Sequence, residues 1–470
     1  MNKLRTFLFN VTYSMIANGL NLIVSAATSL LIPLMLGDEI DQYGFFQIYL
    51  FYIAYIGFFH FGLCDGALLV EGGKDYSKLD KNKYSFQYHF LFIVEIIVTT
   101  TIILTLVTLK KEVDYIFIGV AFGVNLIIYL PRNLLAYLLQ SSNRIKENAF
   151  ITIIGRTVYL IGVLAIWIIG WYDYHLFVLA DIFGKGCALV YAVYKCKDIV
   201  FSKPYAWRIG IEGVKENVLV GMKLMLASVS SMVITGIVRF AIQQQWDVAT
   251  YGKISLTLSI TNLVLTFISA MAIVLYPTLR RVSDTKAVSL YYSIRDILMY
   301  MLLATLILCY PLQTIMQRIL PQYNDSLVYL PILFPVCVYS AKITMLIQTY
   351  MQVFRMEQYI LKVNLSAIVI ALFNTFFTIY LFHNLTMAIF SILFIAAIRS
   401  TIAEYVLSKH IHISIWKDSI IETAFVLFYV TISFFVSGMV GMIAYIPLFL
   451  GYVIIKFNAI KKAMDKILTS

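Results

Sequence analysis

The stretch AFITIIGRTVYLIGVLAIWIIG, residues 149–170, is followed after only three residues by YHLFVLADIFGKGCALVYAVY, residues 174–194. Each run is long enough to cross a hydrocarbon core of about 30 Å at about 1.5 Å per residue, and three residues cannot fold between them. The pair therefore reads as two consecutive membrane helices, since a helix satisfies its own backbone groups in lipid. Both runs also carry ionisable residues far from their ends: Arg156, Asp181 and Lys185.

Outward from this pair, apolar runs follow one another from Phe7 to Ile455, near 7–36, 43–70, 86–109, 114–139, 149–170, 174–194, 219–242, 254–279, 293–317, 326–354, 358–382, 384–408, 419–437 and 439–456. The chain is predicted to be an all-α polytopic membrane protein of about 14 transmembrane helices. Only 13% of residues are charged and the mean hydropathy is +0.85, which excludes an ordinary soluble domain. Lys3 and Arg5 precede the first run as in a signal peptide, but no small-residue cleavage site follows, so it is read as a retained helix. Five scattered cysteines, Cys64, Cys187, Cys196, Cys309 and Cys337, lack metal or redox spacing and are expected as free thiols.

The net charge of +11 is spread over short loops and forms no stripe, so no nucleic-acid partner is expected. With the N-terminus in the cytoplasm, 25 basic residues fall on that side, against Lys110, Lys111, Lys253 and Arg318 on the other. The positive-inside rule then places both termini in the cytoplasm and requires an even helix count. Asp41–Gly44 after the first helix is echoed by Ala249–Gly252 after the seventh, and Gln140–Arg144 by Gln352–Arg355, at offsets of about 208 and 212 residues. Such spacing suggests six helices duplicated in parallel. The expected division is an N-terminal six-helix bundle, 1–200; a cytoplasmic linker, 201–218; a C-terminal six-helix bundle, 219–410; and helices 13 and 14 with a cytoplasmic tail, 411–470.

Pro33–Gly37, then Tyr43-Gly44-Phe45-Phe46, then Phe61-Gly62-Leu63 with Gly66 resembles the opening pattern of polysaccharide transporters, the O-antigen or repeat-unit flippases of the MATE-like flippase superfamily. Phe-Gly-Leu stands where that family has a Leu-Gly-Leu-like segment. Leu138–Arg144, and Tyr251-Gly252 followed by Tyr276–Arg281, are similar to later words of the pattern. The resemblance implies two six-helix bundles in a V around a central cavity, with two extra helices outside. It also implies a flippase that moves a polyprenyl-diphosphate-linked oligosaccharide from the cytoplasmic to the outer leaflet of a bacterial inner membrane by alternating access. The oligosaccharide would be an O-antigen, capsule or exopolysaccharide repeat unit, and a polymerase and glycosyltransferases are the implied partners beside membrane lipids. Lipid II flipping and drug or metabolite export use the same scaffold and remain alternatives, because fold alone does not set function.

Eleven ionisable residues lie within the runs: Asp65, Glu95, Arg132, Arg156, Asp181, Lys185, Lys223, Arg239, Lys342, Arg399 and Glu404. Each costs about 2.5–3.5 kcal/mol at a helix centre, so pairing or a wet interior is required. Arg156, Lys185 and Lys342 lie deepest; Arg132, Lys223, Arg239 and Arg399 sit closer to an end, where snorkelling to headgroups is the alternative. Asp181 and Lys185, four apart and acid first, share a helix face. Glu95 either neutralises Arg132 or Arg156 or carries a coupling proton, and Asp65 and Asp181 are candidates for the same roles. Seven bases against four acids make the interior cationic, which suits a diphosphate and opposes an organic cation. Asn18 and Asn21 on helix one are candidate sugar ligands or interhelical glue.

No GxxxxGK[ST] phosphate loop, HExxH motif or catalytic constellation occurs, and the outer loops are too short for a membrane polymerase or transferase. The chain is not expected to be an enzyme, to bind metal or to need a cofactor other than a coupling proton or sodium ion.

Overall fold

The computed structural model describes the backbone of residues 3–280, 284–436 and 438–468, and every regular element among them is helical. Among the described residues thirteen helices are long and apolar enough to cross a membrane, or fourteen when one bent pair counts as a span. The chain divides into two compact units, Met1–Val229 and Ser230–Ser470.

The first unit contains α1 (Lys3–Leu36), α2 (Ile40–Ala54), α3 (Leu63–Val70), α4 (Lys81–Thr108), α5 (Val113–Ser141), α6 (Ile145–Ile169), α7 (Tyr174–Lys195) and the short α8 (Lys197–Val200). α9 (Trp207–Gln245) begins in it and runs on into the second unit. Residues 201–218, read from sequence as a linker, are thus largely helical from Trp207 onward and continuous with the seventh span. Trp207 packs edge-on against Phe86, and the Tyr205 hydroxyl donates to Asp80 at 2.8 Å, so this segment is anchored to α4 and its N-cap.

α2 and α3 form the bent span, with a 56° angle between them. Phe61 (φ 47°) and Gly62 (φ 83°) occupy left-handed conformations at the bend. A Cβ on Gly66 would collide with the Asn217 carbonyl, and one on Gly221 with the Gly62 and Gly66 backbone. The glycines of the Phe-Gly-Leu segment therefore let α3 and the start of α9 touch backbone to backbone.

The second unit holds α10 (Val248–Arg280), α11 (Asp284–Thr305), α12 (Cys309–Ile319), α13 (Asn324–Leu327), α14 (Leu330–Leu333), α15 (Val336–Ala341), α16 (Gln348–Val353), α17 (Glu357–Thr375), α18 (Leu385–Ile411), α19 (Trp416–Phe435) and α20 (Gly438–Leu468). Arg281, last in its quoted motif, lies outside the described residues. The tenth span is segmented: Pro331 starts α14, Pro335 precedes α15, and a π-helical stretch, Lys342–Ile347, leads into α16. Each proline removes a backbone donor, and the wide turn that follows re-registers the helix. Pro131, by contrast, sits inside an uninterrupted α5.

The repeated words Gln140–Arg144 and Gln352–Arg355 adopt the same geometry. Asn143 (φ 60°) and Arg355 (φ 55°) are both left-handed; the N–H of Arg144 bonds the Leu139 carbonyl at 2.8 Å and that of Met356 the Met351 carbonyl at 2.7 Å. Both turns are Schellman helix ends, 212 residues apart.

Candidate functional site

In the first unit the turn between α5 and α6 puts the C-terminus of α5, the N-terminus of α6 and the C-terminus of α7 on one side of the membrane. Arg132 lies nine residues from that end of its helix, Arg156 eleven and Lys185 ten. At about 1.5 Å per residue all three are about 14–17 Å deep, near the middle of the hydrocarbon core. They lie within electrostatic range of one another.

Their partners differ. Lys185 Nζ donates to Asp181 Oδ2 at 2.6 Å and to Asn125 Oδ1 at 2.9 Å. The Tyr49 hydroxyl donates to the same Asp181 oxygen at 2.5 Å and accepts from Asn125 Nδ2 at 2.9 Å, so α2, α5 and α7 are joined in one closed network. Arg132 lies over the Tyr129 ring at 4.4 Å, with its Nε buried and without a hydrogen-bond partner. Arg156 makes no hydrogen bond or ion pair among the described residues. Tyr159 lies within its electrostatic range. Asp181 is thus spent on Lys185, and two guanidinium groups remain at mid-membrane without a carboxylate.

Lys342 has different surroundings. Its Nζ is held between Glu404 at 2.6 Å and Glu422 at 2.8 Å. Arg295, fully buried, bonds Glu404 at 2.6 Å and Glu422 at 2.6 Å, and lies 3.4 Å from Asp418; Lys456 joins Asp418 to Asp296. Three cations and four carboxylates from α11, the π-helical stretch, α18, α19 and α20 therefore form one buried cluster. Arg295, one of the 25 basic residues assigned to the cytoplasmic side from sequence, lies in the core of the second unit. The acids of α19 were missed because they fall at the start of an apolar run, although Asp418 and Glu422 are four apart and share a face.

The remaining candidates are dispersed. Arg239 is half-buried and reaches the Tyr251 hydroxyl at 3.3 Å and Ser255 at 3.2 Å. Lys223 and Asn18 are exposed on their helices, while Asn21 has its Oδ1 buried without a hydrogen-bond partner. Asp65 approaches His60 at 3.8 Å. Glu95 is fully buried on α4, and neither carboxylate oxygen has a hydrogen-bond partner, so it does not neutralise Arg132 or Arg156 through an ion pair. Tyr49 and Asn125 were not singled out from sequence: a neutral polar side chain in a span is too common to signal a site. Among the described residues no group of His, Cys, Asp and Glu is arranged to hold a metal ion. In the second unit a largely apolar cavity of about 1010 Å³ lies among α17, α18 and α19, with Phe390, Phe394, Ile402 and Leu427 in its walls.

No family model matches the chain, and no curated protein does. Solved structures do. The lipid II flippase MurJ in an inward closed conformation matches with a TM-score of 0.64 at 12% identity, over 96% of this chain and 100% of that one. The chain has the fold of the MATE-like transporters. An inward-facing multidrug resistance MATE transporter of the MOP superfamily gives a TM-score of 0.62 at 14% identity, over 86% and 98% of the two chains. A MOP-superfamily transporter from Pyrococcus furiosus, whose reversed binding-pocket polarity was taken to suggest a different function, gives 0.53 at 12% identity, over 87% and 95%. These three structures are two transporters and a flippase, and this chain is a multi-pass membrane protein of that architecture.

Proposed function

We propose that this protein is a flippase that carries a polyprenyl-diphosphate-linked oligosaccharide repeat unit from the cytoplasmic to the outer leaflet of a bacterial inner membrane by alternating access. The observation that carries this reading is the pair of unpaired guanidinium groups, Arg132 and Arg156, at mid-membrane depth beside Lys185. A planar guanidinium presents parallel N–H donors matched to phosphate oxygens, and the low dielectric around it strengthens that attraction. An organic cation would be repelled by the same cluster, so drug export of that kind is disfavoured.

In this reading the two compact units act as the two moving bundles, and Lys342 belongs to the ion cluster of the second unit and not to the substrate. Unpaired Glu95 is the preferred carrier of a coupling proton. Lipid II has the same diphosphate linkage, so contacts to the sugars would separate the two substrates.

The test uses purified protein in liposomes with a fluorescent polyprenyl-diphosphate oligosaccharide, scoring exposure of the label to a membrane-impermeant quencher. Arg156→Gln should slow translocation about tenfold or more, on the scale of one lost charge-assisted hydrogen-bonding group. Arg156→Gln and Arg132→Gln both translocating at the wild-type rate would defeat the reading.

A further inference from the structure

The chain that leads into α9 is fastened to the start of α4. Ser202 Oγ donates to the Lys81 carbonyl at 2.9 Å, and the Ser202 carbonyl accepts from Ser85 Oγ at 2.9 Å. The Tyr205 N–H bonds the Asn82 carbonyl at 3.4 Å, and its hydroxyl bonds Asp80 at 2.8 Å. Trp207 then rests on Phe86 and Phe90, with ring centroids 5.5 and 6.3 Å away.

The first turns of α9 run across α4 and not along it. Gly210 lies against Phe86, Gly213 against Lys83 and Gln87, and Asn217 Nδ2 donates to Gln87 at 3.0 Å. From Trp207 to Asn217, about 15 Å of helix at about 1.5 Å per residue, α9 therefore stays level with residues 83–90 of α4. That level is one end of a membrane span. Phe86, Phe90, Ile93 and Ile97 share a face of α4, and the last two are exposed, as a lipid-facing stripe would be. Trp207 sits on the rim of this stripe, at headgroup depth.

The exposed side chains match that place. Phe201 is 78% exposed, Trp207 64% and Ile209 54%, although the segment that carries them is pinned by hydrogen bonds. Large apolar groups held open at the end of a span suit the boundary between headgroups and acyl chains, where aromatic rings concentrate. The charge beside them is positive. Asp198 is paired with Lys81 at 2.8 Å and Glu216 with Lys83 at 2.7 Å. Among the described residues 197–216, exposed Lys197, Lys203, Arg208 and Lys215 have no carboxylate partner, against one such acid, Glu212.

We propose that residues 197–211 form a docking surface for anionic phospholipids of the leaflet that meets this end of α4, with Phe201, Trp207 and Ile209 seated at the acyl boundary and Lys203 and Arg208 on the lipid phosphates. The surface belongs to the first unit and does not depend on what the protein transports.

The experiment uses the full-length protein with Ala206→Cys, an exposed position within the segment, labelled with a fluorophore and reconstituted in phosphatidylcholine nanodiscs. The unsubstituted protein, treated alike, gives the background from the native cysteines. Each disc carries a trace of lipid with a spin-label quencher near its glycerol, as phosphatidylglycerol or as phosphatidylcholine. Both lipids should quench the label, and the phosphatidylglycerol form should be enriched around it about fivefold, the scale of one basic residue at a membrane surface. Lys203→Gln with Arg208→Gln should bring the ratio of the two lipids close to one at an unchanged thermal midpoint, since both side chains are exposed. Phe201→Ser should weaken quenching by both lipids. A label quenched by aqueous iodide and by neither lipid would place the segment in water and overturn the proposal. Equal quenching by the two lipids in the wild type, or an unchanged preference in the double variant, would overturn the assignment to anionic headgroups.

Discussion

At the scale of single residues, what separates the charged groups is what surrounds each one, since depth alone does not. Lys185 and Lys342 are both far from a helix end, yet both are neutralised at 2.6 Å by a carboxylate. Arg132 and Arg399, which from sequence could have been headgroup anchors, lie deep and lack such partners. Residue-level electrostatics also governs the loop ends. Asp247, just outside the membrane-spanning segments, accepts the Thr250 N–H at 2.8 Å at the N-terminus of α10. The Thr250 hydroxyl and N–H hold its carboxyl below the ordinary carboxylate value. A depressed folded-state pKa contributes stability above the ordinary value and loses it as pH falls through the folded one. Asp247→Ala should therefore cost about 1 kcal/mol near neutrality, as an N-cap does, and less as pH drops below about 4. Unfolding in detergent at neutral and acid pH measures this; a pH-independent cost would contradict it.

At the scale of elements, glycine and proline decide where spans bend. The second span turns by 56° because Phe61 and Gly62 leave the helical region, and its far half is held against α9 by contacts that only glycine allows. Gly66→Val would drive a side chain into the Asn217 carbonyl. We expect this variant to destabilise the first unit by more than the typical 1–3 kcal/mol of overpacking, since backbone cannot move aside as a side chain can. The check is the thermal midpoint of the purified variant, with Gly57→Ala as control at a position with open space; equal midpoints would reject the contact. The tenth span makes the same point for proline. Pro331 and Pro335 coincide with breaks while Pro33, Pro131 and Pro447 lie inside single helices, so a proline in the sequence does not by itself place a kink.

At the scale of the whole molecule, α19 and α20 are tied into the second unit by charge. Removing residues 412–470 would take away Asp418, Glu422 and Lys456, leaving Arg295 and Lys342 to share Glu404. Breaking a buried pair in this way costs about 3–5 kcal/mol, comparable with the net stability of a domain. A chain truncated after Ile411 should fail to accumulate, and co-expression of residues 412–470 as a separate chain should restore it. Normal accumulation and an unchanged unfolding temperature of the truncated protein would show that the cluster is dispensable.

The helix inventory was legible in the sequence because hydrophobic run length is set by the bilayer, an external ruler that acts on every span alike. The Phe-Gly-Leu segment and the two repeated turns were legible as words, but the 56° bend and the left-handed residues within them came only from the structure. The sign of the charge in each unit was not legible. A count over the spans showed a positive excess, but Arg295, Asp296, Asp418, Glu422 and Lys456 sit at run ends and were left out of it. Only tertiary packing decides which acid meets which base, because the partners in this cluster are 38 to 160 residues apart and their attraction depends on distances of a few ångströms. Sequence by itself determined a multi-span helical membrane protein with charges inside it. The tertiary structure decided that the second unit spends most of its charge on holding itself together, and that Arg132, Arg156 and Arg399 keep theirs.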